Sequence, residues 1–111
     1  MIEVKPIVIT DTESGEKYTL EFDKESIKFA ERNGFNIDDL ARYPVTKIEE
    51  LFWYAFRKNH KRVDLLKARK LLEGIGALPD DFIERLVNLY AKPYEAFSDV
   101  EGKNSPFVTV E

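Results

Sequence analysis

Residues 48–61 read IEELFWYAFRKNHK, from Ile48 to Lys61: three adjacent aromatics, a fourth two residues later, then an abrupt basic turn. In a helix successive side chains point about 100° apart, so one face cannot hold them all. Ile48, Leu51, Phe52, Ala55 and Phe56 share an arc of roughly 140°, and Trp53 and Tyr54 flank it on opposite sides. Only Glu50 and Arg57 occupy the middle of the remaining face. This stretch therefore reads as the central helix of a small domain. It is packed from several sides, or it keeps Trp53 or Tyr54 on the surface as an anchor for another protein. Thr46-Lys-Ile-Glu49 has the form of a capping box and predicts that the helix opens there and runs over 46–60.

Upstream, Val4 to Thr10 is rich in β-branched residues, and Tyr18, Leu20 and Phe22 alternate with polar neighbours. The polar loop between them contains Gly15, so the first third predicts a β-hairpin. Pro6 cannot donate to a ladder, which puts the first strand at an edge or starts its pairing after that residue. Asp23 is a good N-cap for a helix from about Lys24 to Asn33, with Ile27 and Ala30 inward; Asn33-Gly34-Phe35 is its stop. A short helical turn capped by Asn36 ends before Pro44.

Downstream, Asp64 caps a helix carrying Leu65, Leu66, Ala68, Leu71 and Leu72 to Gly74 or Gly76. The last helix starts near Pro79-Asp80-Asp81 and puts Phe82, Ile83, Leu86, Leu89 and Tyr90 on one stripe. It kinks at Pro93 or ends near Lys92. The expected fold is α+β: an N-terminal antiparallel hairpin packed on a four- to five-helix bundle. Residues 1–97 form the domain and 98–111 a flexible tail, in which Phe107, Val108 and Val110 offer a short edge strand.

The 111 residues carry a net charge of −4, yet residues 57–73 hold seven Lys and Arg against two Asp and Glu. Overall acidity argues against a general nucleic-acid binder. Arg57, Lys58, Lys61 and Arg62 straddle the expected helix end, where cations complement the helix dipole and could meet an acidic protein partner. No apolar run approaches the length of a membrane span, and there are no cysteines. His60 is the only histidine and is expected at a helix end facing water. Asp38-Asp39 and Asp80-Asp81 are explained by helix starts, and no serine has nucleophile-elbow context. The chain reads as non-enzymatic, without metal or cofactor.

The segments YTLEFDKESIKFAERNGFNIDDL, TKIEELFWYAFRKNH and ARKLLEGIGALPDDFIERLVNLYAKPYEAF, spanning roughly residues 17–97, bear a family likeness. In order and spacing they resemble the small tail assembly chaperones of long-tailed bacteriophages and prophages. The residues that carry the likeness are Leu20, Phe22, Asp23, Ala30, Glu31, Gly34, Leu51 to Phe56, Leu71, Leu72, Gly74 and Gly76. The resemblance implies a host-cytoplasmic protein, absent from the finished virion, that keeps the tape-measure protein soluble while tail-tube subunits assemble. It also implies that Ser98 to Ser105 could join a frameshifted extension. On this reading Trp53, Tyr54, Tyr90 and Tyr94 edge a groove for a helical partner, and the basic turn steers its acidic stretches. Two alternatives compete. One is a helix-turn-helix regulator built on helices 46–60 and 64–74, with Lys67, Arg69 and Lys70 joining the basic turn. The other is a self-assembling subunit that donates Phe107–Val110 to a neighbour's hairpin.

Overall fold

A computed structural model describes residues 4–98, with side chains from 4 to 94. Strands β1 (Ile7–Thr10) and β2 (Lys17–Leu20) form an antiparallel two-stranded sheet. They are followed by α1 (Lys24–Arg32), a 3-10 turn (Ile37–Leu40), α2 (Pro44–Tyr54), α3 (Leu65–Ile75) and α4 (Phe82–Ser98). The architecture is α+β, a hairpin on a helical bundle, and no described helix is long and apolar enough to cross a membrane. Phe107, Val108 and Val110 lie outside the described residues.

The hairpin pairs Ile7 with Leu20 and Ile9 with Tyr18, so these four side chains share one face, and β1 begins directly after Pro6. Ile7, Tyr18 and Leu20 are buried, as is Phe22 beyond the strand end. Two strands are marginal alone, and here their inner face closes over the helices. The core contains Ile27 and Ala30 of α1, Leu51, Phe52 and Tyr54 of α2, then Ala55 and Phe56. Phe82, Leu86, Leu89 and Tyr90 of α4 complete it.

Local signals set most helix ends. Asp23 accepts from the Ser26 amide while the Ser26 hydroxyl accepts from the Asp23 amide, a reciprocal cap. At the other end Gly34 takes φ +84°, Gly34 N–H reaches Glu31 O and Phe35 N–H reaches Ala30 O. That pattern satisfies the last carbonyls and turns Phe35 into the core. Asn36 caps the 3-10 turn, Asp64 caps α3, and Gly76 ends it with φ +73°.

Two expectations change, and a choice left open at Pro93 is decided against an end near Lys92. The central helix opens at Pro44, not at Thr46: Tyr43 is the N-cap without a side-chain bond, and proline occupies the first turn, where its missing N–H costs nothing. It also closes at Tyr54 instead of 60. Beyond it, Phe56 and Arg57 make i→i−3 bonds, and Ala55 O accepts the Glu21 amide at 3.1 Å. A donor just past β2 thus occupies a carbonyl that helix continuation would use. Finally, α4 continues through Pro93 to Ser98.

Candidate partner-binding surface

The β2 strand has β1 on one side only. On its other side the segment after α2 supplies what a third strand would. Thr19 N–H donates to His60 Nε2 at 2.9 Å, Thr19 O accepts from Asn59 Nδ2 at 3.1 Å, and Glu21 N–H reaches Ala55 O. His60 is therefore not a water-facing helix-end residue. It is half-buried, edge-on to Tyr18 with centroids 5.1 Å apart, and its ring proton sits on Nδ1 because Nε2 accepts. Asn59 also donates to Glu21 Oε1 at 3.0 Å, and Lys58 lies 3.3 Å from Glu21 Oε2. The Asn59 bond, aided by Lys58 and opposed by partial burial, holds the Glu21 carboxyl below its ordinary range.

The four aromatics expected to edge a groove are joined by ring contacts through Phe35. Centroid spacings are 4.8 Å for Trp53–Tyr54, 5.4 Å for Tyr54–Phe35, 5.6 Å for Phe35–Tyr90 and 5.9 Å for Tyr90–Tyr94. This ladder runs through the interior. Tyr54 and Tyr90 are each only 3% exposed, so they are core residues and not groove walls. Burial pushes both phenols above the usual tyrosine range. Trp53 is half-buried, with Nε1 donating to Val63 O at 2.9 Å, and it lines a 140 Å³ dimple with Phe29 and Arg57. Tyr94, 42% exposed, donates to Glu31 at 3.3 Å beside a 120 Å³ furrow formed with Ile27 and Pro93. Neither hollow is large enough for a helix.

The larger opening lies elsewhere. Helix α3 packs on α2, fastened by Arg69 to Glu49 at 2.8 Å, and stands off from the hairpin across two open cavities that share Lys67. One, of about 620 Å³, is bounded by Glu16 and Tyr18 of the hairpin and by the 58–63 segment. The other, of about 450 Å³, lies between Ile9 to Glu13 of the hairpin and Lys70, Leu71, Gly74 and Ile75 of α3. Along α3 only Ala68 is fully buried; Leu71, Leu72 and Ile75 are half-buried and Leu66 is 60% exposed. The apolar surplus expected around Trp53 is on α3 instead.

The basic turn divides by use. Arg57 lies over the Phe29 ring at 4.0 Å and Lys58 pairs with Glu21, so both serve the fold. Lys61 and Arg62 are exposed, lack partners among the described residues, and line the first cavity. Sequence reasoning placed Lys67 and Lys70 only in the helix-turn-helix alternative, yet both line the cleft. With α2 ending at Tyr54 and α3 starting at Leu65, the connection is far longer than the three- or four-residue turn that motif uses. Among the described residues no three of His, Asp and Glu are grouped to hold a metal ion.

A family described as Domain of unknown function (DUF5055) matches residues 1–111. The chain belongs to that family. No curated protein and no solved structure matches it. The family description assigns no chemistry.

Proposed function

We propose that this chain is a non-enzymatic tail assembly chaperone of a long-tailed phage or prophage. It acts in the host cytoplasm and holds an amphipathic stretch of the tape-measure protein between the hairpin and α3. The observation that carries this reading is the open cleft. Its apolar floor includes Ile9, Leu71 and Ile75, and Lys61, Arg62, Lys67 and Lys70 stand along its length. From Leu65 to Ile75 α3 extends about 15 Å, room for nearly three turns of a partner helix. Helix-in-groove recognition needs an apolar floor for specificity of face, and the rim cations without partners among the described residues, Lys61, Arg62 and Lys70, speed encounter with acidic stretches. The sequence resemblance supplies the partner's identity, and tail-tube subunits are the second expected contact.

Co-expression with the tape-measure protein tests it. The wild-type chain should keep that protein in the soluble fraction, and Lys61→Glu, Arg62→Glu and Lys70→Glu together should release it while leaving the thermal midpoint unchanged. If the wild-type chain gives the tape measure no added solubility, the chaperone reading fails. If the triple variant solubilises as well as wild type, the cleft is not the site.

A further inference from the structure

The two edges of the hairpin are treated differently. Thr19 directs both its backbone groups away from β1, to His60 and Asn59. In an antiparallel pair, residues directly opposite are both hydrogen-bonded to each other or both turned outward. Val8 faces Thr19, so Val8 N–H and C=O point away from β2, and Thr10 follows two residues on. Among the described residues nothing accepts or donates at these groups on Val8 or Thr10. Val8 is 58% exposed and Thr10 is exposed. One edge is closed by built-in mimicry of a strand; the other is open at Val8 and Thr10, with the Arg85 guanidinium of α4 donating to Pro6 O at 3.5 Å just before the strand.

We infer that the open edge of β1 pairs with β1 of a second copy of this chain, antiparallel about a two-fold axis, making a four-stranded sheet across the dimer. Charge selects this occupant and its direction. The strand has a cation before it, Lys5, and acids after it, Asp11 and Glu13. A two-fold axis at Val8 sets Lys5 opposite the partner's Asp11 on both sides, whereas parallel pairing would stack like on like. In that register Val8 exchanges both bonds with the partner's Val8, and Thr10 N–H meets the partner's Pro6 carbonyl, which has a second lone pair beside the 3.5 Å bond it accepts from Arg85. Pro6, which has no N–H to offer, marks where the pairing stops. Ile7 falls opposite the partner's Ile9, which is half-buried in the single chain, and so extends the inner apolar face. The basic mouth of the cleft lies on the β2 side and stays open; Ile9, Thr10 and Asp11 also line the smaller cavity, so the pairing and the cleft share that end of β1.

Light scattering on the full chain, with hydrogen exchange at the Val8 and Thr10 amides, tests this. The expected result is a concentration-dependent doubling of mass, with protection of both amides rising in step. Val8→Pro removes a donor that the hairpin does not use and should give a monomer. Lys5→Glu, at an exposed residue outside the core, should weaken association about ten-fold by replacing two attractive cross-strand pairs with repulsive ones. Mixing it with Asp11→Lys should restore a heterodimer. Deleting residues 104–111 should leave the dimer intact. A chain that is monomeric with unprotected amides overturns the inference. So does protection that ignores concentration, which would mean that the chain covers its own edge. A dimer indifferent to both Val8→Pro and Lys5→Glu, or one lost on the deletion, likewise places the contact elsewhere.

Discussion

Replacing His60 by alanine tests whether a side chain stands in for a strand. The Thr19 amide loses its acceptor at 2.9 Å, and a half-buried donor without a partner costs about 1–3 kcal/mol. The ring also leaves edge contacts with Tyr18 at 5.1 Å and Phe56 at 6.3 Å, about 0.5–1 kcal/mol in total. The space vacated opens onto the 620 Å³ cavity, so water recovers part of the amide's loss. The balance is a destabilisation of about 2 kcal/mol, large for a residue that touches the surface. Urea unfolding followed by the fluorescence of Trp53, the single tryptophan, measures it, and exchange at the Thr19 amide should accelerate. Asn59→Ala should cost less, because Asn59 is itself exposed and water can replace its bonds, and the double variant should be non-additive, because both side chains serve Thr19. A loss below about 0.5 kcal/mol with unchanged Thr19 exchange would mean that the edge does not need His60, and the reasoning fails.

Trp53→Phe removes the indole bond to Val63 O and should cost about 1–2 kcal/mol by circular-dichroism melts, an unchanged stability showing that this bond does not fasten the loop. Glycines separate by backbone. Gly34→Ala, at φ +84° with open space around a new Cβ, should cost about 1 kcal/mol, whereas Gly74→Ala inside α3, equally unobstructed, should gain about 0.5–1 kcal/mol. Glu21 sets a pH dependence. Its folded carboxyl titrates below the ordinary 4.5, so its contribution is full above that value and is lost as pH falls through the lower folded value. Glu21→Gln should flatten that part of the acid limb in denaturation measured from pH 6 downward, and an unaltered limb would assign the acid sensitivity to other carboxylates.

Elements whose ends are written locally were legible in the sequence. Asp23, Gly34-Phe35, Asn36, Asp64 and Gly76 each act within a few residues of themselves, and each sits at the expected terminus. The alternation of Tyr18, Leu20 and Phe22 likewise needed no distant partner to be read. What failed was non-local. The close of α2 depends on the Glu21 amide just past β2, more than thirty residues away, which takes the Ala55 carbonyl. His60 gave no sign of its role, since an acceptor for a strand amide has no sequence pattern. The aromatics crowded on α2 suggest a groove there, yet Phe35 packs edge-on to Tyr54 with Tyr90 behind it, and Tyr54 is buried. Conversely, the leucines of α3 look like an ordinary core stripe, and only the three-dimensional gap beside the hairpin leaves them part-exposed.

The connection from residue 55 to residue 64 joins these observations. It closes the β2 edge through Ala55, Asn59 and His60, holds the Trp53 indole through Val63 O, and caps α3 through Asp64. Between those anchors it leaves Lys61 and Arg62 facing the larger cavity. A mouth built on a segment pinned at both ends is positioned in advance, so little ordering cost falls on binding. Two classes of variant should therefore separate. Changes at Asn59 or His60 should lower stability and weaken partner binding together, because releasing the anchor lets the mouth move. Charge reversal at Lys61 and Arg62 should weaken binding, increasingly so at low salt, with no change in the unfolding midpoint. Binding by a folded His60→Ala chain with unaltered affinity would show that the mouth needs no pinning, and would detach the cleft from the strand edge that frames it.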